Sequence, residues 1–314
     1  MNSNSPIYFY MAMVSLVAWV TFAQAEPGTV TNDTESLRAS SAYGEATVIR
    51  NIAYVEHPTS RQNFDLYLPG PPGNQPFPFI LWVHGGAWMM GIKEWDNVKY
   101  LVRHGYAIAS IDYRISTTAR FPAQIQDCNA ALNFILAHAQ AYGVDPRRFI
   151  VGGASAGGHL AVLLGLARHE KAFGADPAAH PLAILDFFGP TDLNNQMGDL
   201  ETIHSERGIA LTEDAGAKLL GGPIAESQAK AKAASPINYV SATSPPVLII
   251  QGGKDDLVPV AQSRRLQTAL ERAGVKNQFI LVETAGHDGP QFSTPDIESK
   301  VTDFINAVLN QANH

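Results

Sequence analysis

The chain has 314 residues, 46% of them hydrophobic and 16% charged, which supplies a substantial packed core and excludes a disordered polymer. Its 29 acidic and 22 basic side chains leave a formal charge of −7. With no Lys/Arg run to hold nucleic acid or an anionic membrane surface, it is suited to neutral or apolar ligands.

Residues 1–25 carry no charge, and an almost unbroken apolar stretch from Ile7 to Phe22 ends in Ala23-Gln24-Ala25. Small residues at the first and third of those last positions suit signal peptidase, so a secretory signal cut before Glu26 is expected, with export to the periplasm or medium. A transmembrane anchor is the competing reading. It is disfavoured because the run falls short of the roughly 20 residues a span needs and no basic stop-transfer cluster follows. Residues 26–45 are small and polar and read as a flexible lead, leaving 46–314 as the folded domain.

From Thr47 onward, β-type runs alternate with helical ones. Strands are expected over 64–68, 79–83, 107–111, 149–152, 184–188, 247–251 and 279–282. Amphipathic helices are expected over 123–142 and 160–168, and a closing helix carries Ile297, Val301, Phe304, Ile305, Val308 and Leu309 at helical spacing. This alternation predicts an α/β fold, a mostly parallel twisted sheet with helices on both faces. The stretch 190–240 breaks the rhythm, being polar and rich in Ala and Gly, and is expected as a small cap-like insertion above the sheet. The one cysteine, Cys128, excludes an internal disulfide and falls on the apolar side of a predicted helix, as a small buried hydrophobe would.

Gly153-Ala154-Ser155-Ala156-Gly157 has the form G-x-S-x-G, between a predicted strand and the helix that Leu160 to Leu164 continues. That setting gives the motif its meaning. A sharp strand-to-helix turn exposes the hydroxyl, and the glycines avoid collisions with the neighbouring backbone. A neutral serine needs a base to take its proton and a carboxylate to orient that base. The chain order Ser, acid, His is completed by Asp255-Asp256 after the strand 247–251 and by His287 after the strand 279–282. Spacing alone does not separate Asp255 from Asp256.

His84-Gly85-Gly86-Ala87-Trp88 follows another strand. Small residues there let backbone N–H groups approach a developing oxyanion, and Gly86, Ala87 and Ala156 are the expected donors. His84 reads as support for this loop, and His159, one helical turn beyond Ser155, as packing. Asp112 and Arg114 read as loop braces through ion pairing, and Trp88 as either core or pocket wall.

With these pieces in view, the chain resembles the bacterial α/β-hydrolases identified as carbohydrate or feruloyl esterases, related to the hormone-sensitive-lipase-like carboxylesterases. The resemblance runs from about Tyr54 to the C-terminus. It is carried by the His84–Trp88 loop, the run Phe121-Pro122-Ala123-Gln124-Ile125-Gln126-Asp127-Cys128, Tyr142-Gly143-Val144-Asp145-Pro146, Ser155-Ala156-Gly157-Gly158-His159-Leu160 and Asp255-Asp256-Leu257-Val258-Pro259. It implies cleavage of carboxylic esters without metal or organic cofactor, and it favours Asp255 as the acid, three residues before the Val-Pro pair. Two departures stand out: Gln251 where histidine is common, and Ala87 in place of a third glycine. Amide hydrolysis by the same residues, as in an arylformamidase or peptidase, and a binding protein without catalysis are the alternatives.

Overall fold

Short apolar runs bounded by turn residues call for strands buried on both faces. The computed structural model describes residues 46–71, 75–95 and 98–311. In chain order its elements are β1 (Thr47–Ala53), β2 (Asn63–Leu68), β3 (Phe77–Val83), β4 (Ala107–Ile111), α1 (Ala123–Ala137), α2 (Ala139–Tyr142), β5 (Val144–Ala154), α3 (Ala156–Leu166) and β6 (Ile184–Phe187). There follow α4 (Gln196–Thr202), α5 (Glu206–Leu220), α6 (Gln228–Ala234), β7 (Val247–Gly252), α7 (Val260–Arg272), β8 (Asn277–Val282) and α8 (Pro295–Gln311). The strands form one sheet in the order β1-β2-β4-β3-β5-β6-β7-β8. β1–β2 and β2–β4 are antiparallel, and the remaining neighbours are parallel.

Side-chain alternation divides each central strand between two cores. Phe79, Leu81 and Val83 of β3 pack with Ile125 and Leu132 of α1, Leu160 of α3 and Leu266 of α7. Ile80 and Trp82, on the opposite face, pack with Leu101 and with Ile297, Val301 and Ile305 of α8. Two covered faces explain why these strands read as continuous apolar runs.

All seven predicted strands are present. β1 was not among them: it lies at the sheet edge with only Val48 buried, so it lacks the apolar run that marks the others. The helix expected over 123–142 is broken at His138, whose Nδ1 lies 2.8 Å from the Phe134 carbonyl oxygen. The amphipathic helix expected over 160–168 is instead α3, beginning at Ala156 and buried at every residue. It lies against β3, β5 and β6 and also meets α1 and the turn Pro236–Tyr239, so no face is left for solvent.

The stretch 190–240 holds α4, α5 and α6 between β6 and β7. It bridges loops beyond two strand ends: Phe121 N–H donates to Leu219 O at 2.8 Å, and Ser205 Oγ donates to Asp256 O at 2.5 Å. Residues 1–45, where the export signal and flexible lead are expected, lie outside the described residues. Among the described residues, no helix is long and apolar enough to cross a membrane.

Candidate active site

β3 and β5 are neighbours, but the chain leaves β3 for β4 on one side and reaches β5 on the other. In an open parallel sheet such a reversal opens a crevice at the carboxyl ends of the strands. The His84–Trp88 loop follows β3 and Ser155 follows β5, so both lie at this crevice.

Ser155 has φ 55° and ψ −122°, a conformation that costs a non-glycine residue about 1–3 kcal/mol. The surrounding backbone holds it there. Ser155 N–H donates to Phe187 O at 2.8 Å, and Ser155 O accepts from His159 N–H at 3.0 Å. A Cβ on Gly153 would lie 2.7 Å from Val83 O and collide with the Gly157 backbone. One on Gly157 would meet His84 O at 2.5 Å and overlap Val83 O. Glycine is therefore a steric requirement on both sides of the serine.

His287 Nε2 lies 2.8 Å from Ser155 Oγ, and its Nδ1 lies 2.8 Å from Asp255 Oδ2. Asp255 is buried, and its Oδ1 accepts the backbone N–H groups of Leu257 and Val258, both at 2.9 Å. These bonds turn its carboxylate inward toward the imidazole. Asp256 faces outward, its side chain 49% exposed and 3.9 Å from Arg207. The choice that spacing left open thus falls to Asp255. Phe188 presents its ring to the His287 imidazole at 4.9 Å and 67°, and Phe292 backs Phe188 at 4.7 Å.

Gly86, Ala87 and Trp88 adopt successive positive φ values of 112°, 50° and 58°. The turn closes where Met89 and Met90 N–H donate to Gly86 O at 2.9 and 3.0 Å. It runs close beside the serine, since a Cβ on Gly85 would lie 3.3 Å from Ser155 Cβ. Among the described residues, the N–H groups of Gly86 and Ala87 reach no acceptor, and Ala156 opens α3, where an N–H has no intrahelical partner.

Trp88 anchors this loop. Its indole N–H donates to His159 Nδ1 at 3.1 Å, and His159 Nε2 donates to Ala234 O at 2.6 Å. Burial pushes His159 down to about 4, so the ring is neutral, with its one proton on Nε2. Both nitrogens are engaged, which excludes His159 as the base for Ser155. Trp88 is buried in the core, not a pocket wall.

His84 supports the same loop from below. Its ring stacks on Tyr113 at 4.4 Å, and its Nε2 lies 3.3 Å from Asp112 Oδ1. Asp112 and Arg114 brace loops as expected, though with separate partners: Asp112 Oδ1 accepts Lys93 N–H at 2.8 Å, and Arg114 pairs with Asp127 at 2.8 Å. Cys128 is fully buried, and burial pushes its thiol up, away from thiolate chemistry. Asp186, fully buried beneath the serine turn, is pushed up to about 7 by burial. Its Oδ1 accepts Gly189 N–H at 2.9 Å, and its Oδ2 has no partner among the described residues.

Sequence reasoning did not find Phe188, Asp186, Ser263 or Ala234 as supports of the site. Only Asp186 carried a signal, a carboxylate within the apolar run 184–188.

A cleft of about 660 Å³ lies between the loop after β4 and α5, lined by Ser116, Thr118, Arg120, Asp214 and Lys218 among others. Ser155, Asp255 and His287 do not line it. Ser116 N–H donates to Trp88 O at 2.7 Å, which ties the cleft to the anchored loop.

The BD-FAE family matches residues 64–270. This chain belongs to the BD-FAE family. Among curated relatives, esterase LipQ of Mycobacterium tuberculosis is 33% identical over 205 residues, covering 63% of this chain and 46% of the relative. A probable isoprenylcysteine alpha-carbonyl methylesterase of Oryza sativa is 28% identical over 246 residues, covering 76% of this chain and 58% of the relative. The chain thus spans about half the length of these curated relatives. A truncated carbohydrate esterase from gut microbiota superposes with a TM-score of 0.75 at 27% identity, covering 87% of this chain and 99% of that one. Esterase B from Lactobacillus Rhamnosis, at 20% identity and a TM-score of 0.73, covers 86% of this chain and 88% of that one and shows the shared fold. BD-FAE membership, the mostly parallel sheet and these neighbours make the architecture an α/β-hydrolase fold.

Proposed function

We propose that this BD-FAE protein is a secreted serine carboxylesterase acting on short-chain acyl esters, including acetyl or feruloyl esters of carbohydrates. The observation that carries the reading is the unbroken hydrogen-bonded path from Ser155 through His287 to Asp255, 2.8 Å at each link.

Ser155 Oγ attacks the ester carbonyl carbon as its proton passes to His287 Nε2, and Asp255 stabilises the resulting imidazolium. The carbonyl oxygen takes the negative charge and is met by the N–H groups of Gly86, Ala87 and Ala156. Collapse breaks the bond to the alkoxy oxygen, which leaves as the alcohol with the proton from His287. Water then attacks the acyl-enzyme and gives a proton to His287. The second collapse releases the acid and returns that proton to Ser155.

The named relatives are esterases, and one solved neighbour is a carbohydrate esterase, which supports the ester and carbohydrate parts of the reading. Export rests on the uncharged leader of residues 1–25.

The test is hydrolysis of p-nitrophenyl esters of increasing acyl length by the mature protein. Turnover favouring acetate or butyrate, lost by at least about 10³-fold in Ser155→Ala and His287→Ala, is expected. Absence of turnover at every chain length from folded protein would overturn the esterase reading in favour of amides or binding.

A further inference from the structure

β7 is apolar through Ile250, and its next residue is an amide, Gln251, which is fully buried. Burying a side-chain amide without partners is costly, and this one has partners at both ends. Its Nε2 donates to Asp255 Oδ2 at 2.9 Å and to Val258 O at 3.1 Å. Its Oε1 accepts the hydroxyl of Ser263, also fully buried, at 2.7 Å from α7.

We propose that Gln251, locked by Ser263, is the positioning residue that sets the Asp255 carboxylate against His287. The inference rests on the triad reading above and extends it by two residues. Asp255 Oδ2, the oxygen that takes His287 Nδ1, is the same oxygen that takes the Gln251 amide. Leu257 and Val258 N–H fix Oδ1. The two sets of bonds together leave the carboxylate no free rotation about its χ2 angle.

The network also decides which way the amide points. Val258 O and Asp255 Oδ2 are acceptors only, so an inverted amide would set its oxygen against two oxygens. Ser263 reinforces the productive orientation because its hydroxyl donates to Oε1. The result is a path Ser263→Gln251→Asp255 that meets His287 from the side opposite Ser155. A residue that only filled space at the end of β7 would require none of these directed bonds.

Four variants test this, with Ser155→Ala as the control. Gln251→Met keeps length and removes the donor; kcat should fall roughly 10–100-fold with KM within about twofold, as for a catalytic group displaced by a fraction of an ångström. Gln251→Glu places an oxygen against Asp255 Oδ2 and should lose at least as much. Gln251→His retains a ring N–H of similar reach and should recover most of the rate. Ser263→Ala unlocks the amide and should cost roughly 3–10-fold in kcat, as expected when a supporting hydrogen bond is lost.

Circular dichroism and thermal melts establish folding, and if Gln251→Met does not fold, Ser263→Ala decides. Wild-type kcat in folded Gln251→Met or Ser263→Ala, or a loss confined to KM, overturns the inference while an inactive Ser155→Ala leaves the triad reading intact. Full activity in Ser155→Ala overturns that reading, and this inference with it.

Discussion

Replacing Trp88 with phenylalanine tests whether the loop bearing the proposed oxyanion donors is held by one buried hydrogen bond. The substitution keeps an aromatic ring and removes the indole N–H that donates to His159 Nδ1 at 3.1 Å. His159 is fully buried, so its Nδ1 lone pair is left without water or another donor. An orphaned buried acceptor costs about 1–3 kcal/mol. Protonation offers no relief, because burial already holds the ring at about 4 and the N–H thus created would face no acceptor. At about 2–4 °C per kcal/mol for a domain of this size, Tm should fall by roughly 2–12 °C. The chemical consequence is separate. Gly86, Ala87 and Trp88 hold φ values of 112°, 50° and 58°, and without the anchor this strained run relaxes away from the position of the oxyanion. Because such donors act mainly in the transition state, kcat should fall by roughly 10–100-fold while KM changes little. Differential scanning calorimetry and steady-state kinetics on p-nitrophenyl acetate read both effects. A Trp88→Phe protein with wild-type Tm and kcat would refute the anchor, and a lower Tm with unchanged kcat would confine Trp88 to stability.

Two further perturbations probe buried polar groups outside the proposed triad. Asp186 sits at about 7, above its ordinary 3.8, because burial penalises its charge. The proton-linked stability is therefore full below the ordinary value and lost as the pH rises toward about 7. Asp186→Asn should flatten the dependence of Tm on pH across that window, measured by calorimetry at intervals from pH 4 to 8; an unchanged slope would show that Asp186 is not the group responsible. His159 works in the opposite sense, its contribution being present above 6.5 and lost as the pH falls through about 4, so only the difference between variant and parent isolates Asp186. Gln262, fully buried in α7, accepts N–H groups of Thr191 and Asp192 at 2.9 and 2.7 Å and donates to Asp192 O and Asp199 Oδ2 at 3.1 and 2.6 Å. Gln262→Leu orphans the N–H groups of Thr191 and Asp192, whereas Asp192 O keeps Asn195 N–H at 3.2 Å and Asp199 Oδ2 keeps Arg265 Nη1 at 2.9 Å; at about 1–3 kcal/mol for each unsatisfied group a loss of roughly 2–6 kcal/mol is expected. A urea midpoint that does not move would show the insertion to be held by other contacts.

The strands were legible because a parallel sheet with both faces covered writes itself as short apolar runs between turn residues. β3 shows the limit of that signal. Phe79 and Ile80 look alike in sequence and point into different cores, and only the pleat separates them. β1 was missed for the converse reason, an edge strand with one buried residue having little to write. α3 was misread as amphipathic because nothing in 160–168 announces that the turn at Pro236–Tyr239 will cover its outer side. That cover comes from some seventy residues downstream.

The constellation proposed as catalytic is legible where its chemistry is local and obscure where it depends on distant partners. The glycines around Ser155 answer to backbone approaching within the same turn and from β3, so the pentapeptide and its setting sufficed to find it. The choice between Asp255 and Asp256 needed the path of the following turn. Asp255 binds the N–H groups of Leu257 and Val258, an Asx-type turn leading into α7, and a carboxylate so engaged faces inward. Asp256, with its neighbour occupying that turn, is directed toward Arg207. Gln251 was visible as an amide ending an apolar strand, but its meaning required Ser263, twelve residues on and in another element. The same is true of Trp88, whose partner His159 in α3 is held in turn by Ala234 of α6. The atoms proposed to react are thus specified by short motifs, whereas the rigidity of their setting is specified by hydrogen bonds between elements. Substitutions such as Trp88→Phe or Ser263→Ala should therefore depress turnover while leaving every motif residue in place.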